Sequence, residues 1–543
     1  MTPVSGQIAQ RQVTSNVDVV IVGAGFAGMY MVHKCHELGL SCLAIEKGDD
    51  VGGTWYWNRY PGARCDVPSL EYSYQFSEDL QRDWKWSEKY ATQPEILRYA
   101  QHVAERFDLK RDMVFRTTVT RAAWSDDEQT WHVDTDQGDV VSAHFLVMAT
   151  GCLSSANKPQ FPGDDTFTGE MYHTGSWPHD GVDFTGKRVA VIGTGSSGLQ
   201  SIPLIAEQAT HLTVFQRTAT YSVPANNGPN DSEYESQVIA DIAGFRARNS
   251  ATRSAFGGDF PANDISVFEV EGDERRQLLE ERWGSSGLLF LGAFNDVLIS
   301  DKSNNEVAEF VREKIRGIVQ DPKVAELLAP KQTIGCKRLC LDTNYYATFN
   351  RENVTLVDVS TSPIERLTPH GVFTDGREFE VDVIVFATGF DAMTGSFLKA
   401  NIHGRNGLAL TEAWSAGPLT YLGLNTRGFP NMFLVTGPGS PSVLTNMIVS
   451  IEQHVNWIGD CIDYMRASGH RVIEADEQAQ SDWVNYVNMI AGYTLFPTCN
   501  SWYLGANVPG KPRVFMPLLG YSDYVAKCEQ VAKADYQGFE LSA

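Results

Sequence analysis

No apolar run in this chain of 543 residues approaches the roughly 20 residues that a helix needs to span a bilayer. The polar stretch Met1–Asn16 also lacks a signal-peptide core, so no membrane partner is expected. Basic residues are scarce: 44 Lys and Arg stand against 67 Asp and Glu, a formal net charge of −23. No basic stripe interrupts this acidity, which argues against nucleic acid as a partner. The surplus is read as a solvated surface. Low-complexity tracts and short-period repeats are missing, which removes solenoid and fibrous folds. The nine cysteines are odd in number and scattered, without a small-domain disulfide framework. That usage fits a reducing cytoplasm. Cys336-x-x-x-Cys340 has no second pair at metal-ligand spacing, so no metal is expected and the two are read as buried thiols.

What the chain does have is two phosphate-binding fingerprints of equal spacing. Gly23-Ala24-Gly25-Phe26-Ala27-Gly28 follows the apolar run Val17–Val22, and Gly193-Thr194-Gly195-Ser196-Ser197-Gly198 follows Arg188–Ile192. Each predicts a strand, a glycine turn and a helix N-terminus, where free N–H groups and the helix dipole hold a pyrophosphate. Counting 23 residues on from the first glycine reaches Glu46 in one case and Gln216, followed by Arg217, in the other. An acid there accepts from a ribose 2′-OH and repels a 2′-phosphate. A neutral residue followed by Arg does the reverse, because guanidinium pairs with phosphate. The expected ligands are therefore FAD at the first site and NADPH at the second, which makes the chain a redox enzyme.

Two strands, Phe145–Met148 and Val383–Phe386, each run into Ala-Thr-Gly, at 149–151 and 387–389. Paired crossovers after two dinucleotide folds suggest an α/β protein with two Rossmann-like domains. The FAD-binding domain would occupy 1–151 and 389–543, interrupted by an NADPH-binding domain at 152–388. From about 226 to 330 the β pattern gives way to a helical insertion, read equally as a cover for a substrate cleft or as packing decoration. Within it, Ser303-x-x-Glu306 predicts a capping box, with Val307, Phe310, Val311, Ile315, Ile318 and Val319 on one apolar face. Asp321-Pro322 predicts the start of the next helix.

Between the two fingerprint halves lies Phe167-x-Gly169-x-x-x-His173-x-x-x-Trp177-Pro178. This string, Gly52-Gly53-x-Trp55-x-x-x-x-Tyr60-Pro61-Gly62-x-x-x-Asp66, Asn500–Tyr503 and Gly505–Lys511 together resemble the type I Baeyer–Villiger monooxygenases. Gly437–Leu444 is similar to the active-site loop of the phenylacetone and steroid monooxygenase branch, from which Cys152 departs, Gln being usual there. The resemblance implies that ketones are converted to esters or lactones with O2 through a C4a-peroxyflavin. Such chemistry needs a fixed cation that keeps its proton and stabilises first the peroxide and then the oxyanion of the adduct. Arg338 of the Lys337-Arg338 pair is the implied catalytic cation, with Asp66 as its carboxylate partner. The resemblance assigns Thr54, Trp55, Tyr60, Asp66, Tyr72, Val119 and Met447 to FAD, beside Glu46 and the first fingerprint. It assigns Thr194, Ser196, Ser197, Gln200, Arg217, Thr218, Lys337 and Trp502 to NADPH. Val67, Cys152, Leu153, Ser442, Val443, Leu444 and Met447 are expected to line an apolar substrate pocket.

His173, in the linker, is read as a hinge rather than a proton-transfer group, and Trp177 as its anchor. A flavin-containing N- or S-oxygenating monooxygenase is the alternative, although it does not call for an Arg beside the flavin. A pyridine-nucleotide disulfide reductase would need a reactive cysteine pair in the first domain, where Cys35, Cys42 and Cys65 are not spaced as one. A flavin-binding scaffold without turnover is disfavoured by intact motifs at both sites. The chain is expected to be a monomer.

Overall fold

The computed structural model describes residues 15–285 and 287–543, so most of the polar stretch Met1–Asn16 lies outside the described residues. Strand Ser15–Val22 pairs in parallel with Cys42–Ile45 on one side and Val140–Met148 on the other. Sheets of this kind are covered on both faces, which is why the inner stretch Val19–Val22 is continuously apolar and buried rather than alternating. The first sheet has eight strands. Its order is Ile402–His403, Val119–Ser125, Thr130–Thr135, Val140–Met148, Ser15–Val22, Cys42–Ile45 and Met113–Val114, with Met432–Leu434 also paired to Val140–Met148. Two of its strands thus come from beyond residue 400. The second sheet is five parallel strands in the order Val354–Asp358, His211–Gln216, Arg188–Ile192, Val383–Phe386 and Glu170–His173.

Both fingerprints close their sheets the same way. Ala149 donates its N–H to the Val22 carbonyl at 3.0 Å, and Ala387 donates to that of Ile192 at 2.9 Å. Gly23 and Gly193 turn away at φ +105° and +108°, a region that suits glycine. A Cβ on Gly23 would come within 2.7 Å of the Ala149 carbonyl oxygen, and one on Gly193 would overlap that of Ala387. Each Ala-Thr-Gly is therefore a strand end seated against the first glycine of its own fingerprint.

Among the described residues no strand forms between 225 and 339, where helices include Ser232–Ala240, Ile242–Ser250, Gly272–Ser285, Asp301–Ile318 and Pro322–Leu328. The expected capping box is displaced. Ser300, in an extended conformation, is the N-cap of Asp301–Ile318 and accepts from Ser303 N–H at 3.3 Å. Ser303 already lies in the first turn, and its hydroxyl donates to Asp296 instead. Val307, Phe310, Val311, Ile315 and Val319 are buried as expected, whereas Ile318 is exposed at the last turn of the helix. Asp321 caps Pro322–Leu328 through Lys323 and Val324 N–H.

The reading of Cys336 as a thiol is corrected. It forms a disulfide with Cys499, 163 residues away, at a Cα separation of 5.9 Å. Spacing within the sequence carried no trace of a partner brought in by the tertiary fold. Cys340 remains a buried thiol. Among the described residues no helix is long and apolar enough to cross a membrane.

Gly28 sits where a Cβ would overlap the carbonyl oxygen of Gly23. Gly28→Ala is expected to destabilise the fold by about 2–4 kcal/mol, because backbone rather than a flexible side chain must yield. Thermal unfolding checks this; an unchanged Tm would show that the turn has room to move.

Candidate active site

Helix Phe26–Leu38 begins at Gly25 and helix Ser196–Gln208 at Gly195, and neither N-terminus has a side-chain cap. Their leading N–H groups need acceptors, and the dipole favours an anion there. A Cβ on Gly195 would stand in open space, in the position where a pyrophosphate must approach the backbone. Glu46 is buried at the end of its strand, with Oε2 accepting from Ala24 N–H at 2.8 Å and Oε1 from Gly48 N–H at 2.7 Å. Fixed in this way beside the first glycine turn, the carboxylate suits a ribose. These features fit FAD at the first fingerprint. Phe26, Ala27 and Trp55 are buried around it, and Trp55 Nε1 donates to the Tyr72 hydroxyl at 3.1 Å. Thr54 is exposed at the start of the Thr54–Trp57 turn of helix. Val119 packs in the core cluster that holds Val22 and Ile45.

At the second fingerprint, Gln216 is buried, donates to the Leu327 carbonyl at 2.7 Å and leaves its Oε1 without a partner. Arg217, next to it, is exposed. Burial first, and then the charge of Arg217, push the Lys337 ammonium below its ordinary pKa. Two cations brought into one another's field fit a phosphate monoester, as NADPH would supply. Thr194 donates to the Thr218 carbonyl at 3.1 Å, and Ser197 meets Thr174 at 3.1 Å. Ser196 meets Cys340 at 3.1 Å, on the strand that follows Arg338. Gln200 accepts from the Tyr60 hydroxyl at 2.8 Å and donates to the Arg64 carbonyl at 3.1 Å. The second fingerprint's helix therefore touches the extension of the first.

Where the halves meet, Arg338 grips Asp66 with two parallel hydrogen bonds, Nε to Oδ2 at 2.7 Å and Nη2 to Oδ1 at 2.8 Å. Its Nη1 donates to the Val443 carbonyl at 2.8 Å. Burial alone would lower the guanidinium pKa, but the charge and hydrogen bonds of Asp66 outweigh it and hold it above its ordinary value. The two side chains keep 25% and 22% of their surface open, so a small molecule can reach the pair. Burial also raises the Tyr503 hydroxyl, Arg338 opposing and Asp66 adding. Trp502 is half-buried, its ring 4.2 Å from that of Tyr503.

Val67, Cys152 and Val443 are buried in one apolar cluster, with Leu153, Leu444 and Met447 packed against it. Ser442 is fully buried at φ +46°, a strained conformation held by its hydroxyl's bond to the Thr436 carbonyl at 3.2 Å. Burial pushes the Cys152 thiol up to about 11, so it stays neutral as a small apolar wall. The insertion reaches this region. Phe256 joins the same cluster, Asn446 N–H donates to the Ser254 carbonyl at 2.8 Å, and Gly257 N–H donates to Glu71 at 3.0 Å. His173 accepts from Gly175 N–H at 2.9 Å through Nδ1 and lies 3.3 Å from the Thr388 hydroxyl through Nε2. Burial lowers its pKa; Nδ1 ties the linker to itself and Nε2 ties it to the second crossover. Trp177 is buried between Tyr172 and Phe184. Sequence reasoning gave no role to Tyr503 or the Val443 carbonyl and overlooked Cys499. Tyr503 and Val443 lie inside recognised strings, whereas Cys499 has no local signal.

Two nucleotide cradles facing a reachable Arg–carboxylate pair define a two-nucleotide flavoprotein oxygenase. A family model described as pyridine nucleotide-disulphide oxidoreductase matches residues 20–234. A Baeyer–Villiger monooxygenase of Pseudooceanicola batsensis is 43% identical, covering 93% of this chain and 92% of its own. The solved structure of an oxidized steroid monooxygenase bound to NADP is 52% identical, with a TM-score of 0.92 and coverage of 97% and 99%. A closed cyclohexanone monooxygenase structure is 43% identical, with a TM-score of 0.95 and coverage of 98% and 100%. The chain belongs to the Baeyer–Villiger monooxygenases. It is a flavin-dependent enzyme of FAD and NADPH that converts ketones to esters or lactones.

Arg217→Ala is expected to raise KM for NADPH about ten-fold or more while leaving that for NADH nearly unchanged, since only NADPH carries the 2′-phosphate. Steady-state kinetics with both nucleotides checks this; equal effects would remove Arg217 from the phosphate site.

Proposed function

We propose that this enzyme oxygenates aryl, cyclic or steroid-like ketones, with Arg338 as the catalytic cation and Asp66 as the carboxylate that positions it. The carrying observation is the bidentate Arg338–Asp66 pair with its third anchor on Val443. When bound, the flavin supplies the activated oxygen and the nicotinamide the hydride. The protein's own part begins with Asp66, which fixes the plane of the guanidinium and leaves an outer N–H of each terminal nitrogen for an anion. Arg338 stays charged across the working pH range and stabilises negative charge as it develops on substrate oxygen. Val443 couples that cation to the loop carrying Ser442 and Leu444. The apolar wall of Val67, Cys152, Leu153 and Met447 excludes water, so the charge is stabilised by fixed donors rather than solvent.

Lys337, Arg217, Thr218, Thr194, Ser196, Ser197, Gln200 and Trp502 would hold NADPH. Glu46, Thr54, Trp55, Tyr60, Tyr72, Val119 and Met447 would hold FAD, together with the first fingerprint. The 52% identity with a steroid monooxygenase supports a substrate of that size and apolarity. We place the FAD domain at 1–151 and 389–543 and the NADPH domain at 152–388, a division that matches the return of two late strands to the first sheet. The molecule is read as a monomer of the cytoplasm.

Arg338→Ala is expected to retain NADPH-driven flavin bleaching under anaerobic conditions while ester formation falls by 10²-fold or more, the scale of losing a transition-state donor. Stopped-flow absorbance and gas chromatography–mass spectrometry of phenylacetone incubations, with benzyl acetate as the parent's product, read the two steps separately. Ester at the parent rate would remove Arg338 from the chemistry.

A further inference from the structure

The Cys336–Cys499 disulfide joins two segments that each carry proposed nucleotide contacts. Cys336 directly precedes Lys337-Arg338, and Cys499 lies three residues before Trp502. Its Cα separation of 5.9 Å is an ordinary bridging distance. Beside it, Leu495 N–H donates to the Leu298 carbonyl at 2.9 Å, so the loop also touches the helical insertion. Cys336 is buried, whereas Cys499 is half-buried between exposed Thr498 and Asn500. Of the two, Cys499 is the residue more open to a reductant. The seven other cysteines are all buried. The site joins elements 163 residues apart in sequence, next to the one cation that the chemistry needs.

We infer that Cys336 and Cys499 are a redox-dependent positioning pair for the nucleotide site: oxidised, they hold the Trp502 loop against Lys337-Arg338, and reduced, they release it. This rests on the reading of Lys337 and Trp502 as NADPH contacts. Ordering a loop before binding removes that cost from the binding step, so release of the loop weakens affinity. Arg338 remains anchored without the cross-link, through Asp66 and Val443. The effect therefore falls on nucleotide retention rather than on turnover at saturation.

The oxidant is hydrogen peroxide. One thiolate attacks its O–O bond, giving a sulfenic acid and hydroxide, and the second sulfur then displaces the sulfenic oxygen as water. Two thiols and one peroxide become one disulfide and two waters. A dithiol or phosphine reductant reverses the bond and is itself oxidised.

The test uses the holoenzyme, first treated with stoichiometric hydrogen peroxide and then with tris(2-carboxyethyl)phosphine. Thiol titration in denaturant should count seven thiols in the oxidised form and nine in the reduced form. Reduction should raise the Kd for NADP+, measured by calorimetry, and the KM for NADPH about five-fold, with kcat within two-fold. Cys499→Ser and, independently, Cys336→Ser should show the raised Kd in both treatments. A count of nine after peroxide, an unchanged Kd on reduction, or an equal response in Cys499→Ser would overturn the proposal. If no form binds NADP+, the nucleotide-site reading fails with it, while the thiol count still decides whether the cross-link exists.

Discussion

The Arg338–Asp66 pair spans 272 residues of sequence and is the constraint on which the rest of the site depends. Bringing a guanidinium into a low-dielectric cleft is costly unless its hydrogen bonds are met by a well-aligned carboxylate. Two parallel bonds and a third to a carbonyl meet that condition, and the result is a cation that cannot be neutralised by burial. Removing the carboxylate would leave the charge unpaired; removing the cation would leave Asp66 without its ion-pair partner. Neither residue can be understood alone. Their meeting requires that the extension of the first fingerprint, the strand Cys340–Asp342 and the loop through Val443 converge.

That convergence is produced by polar contacts laid across two separate cores. The buried side chains of the first sheet and those of the second pack mainly in different clusters. Besides the Cys336–Cys499 disulfide and the Arg338–Asp66 pair, the ties between them include individual hydrogen bonds, such as Tyr60 to Gln200, Gln200 to the Arg64 carbonyl and Asn157 to the Asn507 carbonyl. Each such bond contributes only about 1 kcal/mol net. Hydrogen bonds of this size can be remade without either core unfolding.

What was legible in the sequence is what is local. A strand, three glycines and an acid or its replacement 23 residues on lie within one βαβ unit, so Glu46 and Gln216 were found by counting. The two Ala-Thr-Gly ends were visible for the same reason, and the fold supplies their cause in the contacts of Ala149 and Ala387 with the fingerprint glycines. The displaced cap at Ser300 shows how a local rule fails. Ser303-x-x-Glu306 has the right residues, but Asp296 competes for the Ser303 hydroxyl and Ser300 already stands extended one turn earlier. Asp66 and Arg338 were paired by resemblance, since nothing in their spacing places them together.

The cross-link between Cys336 and Cys499 is the opposite case, because no pattern along the chain joins them. Cysteine arithmetic assumes that disulfides follow compartment and spacing. It fails when two isolated cysteines are delivered to one point by elements far apart in sequence. Lys337-Arg338 and the Trp502 segment are both proposed nucleotide contacts, and the fold brings the two segments together. Cys336 and Cys499, flanking the two segments, are thereby held at a Cα separation of 5.9 Å, within bridging range. The geometry that brings these segments together also supplies the disulfide geometry, so the cross-link reports the same convergence that pairs Arg338 with Asp66.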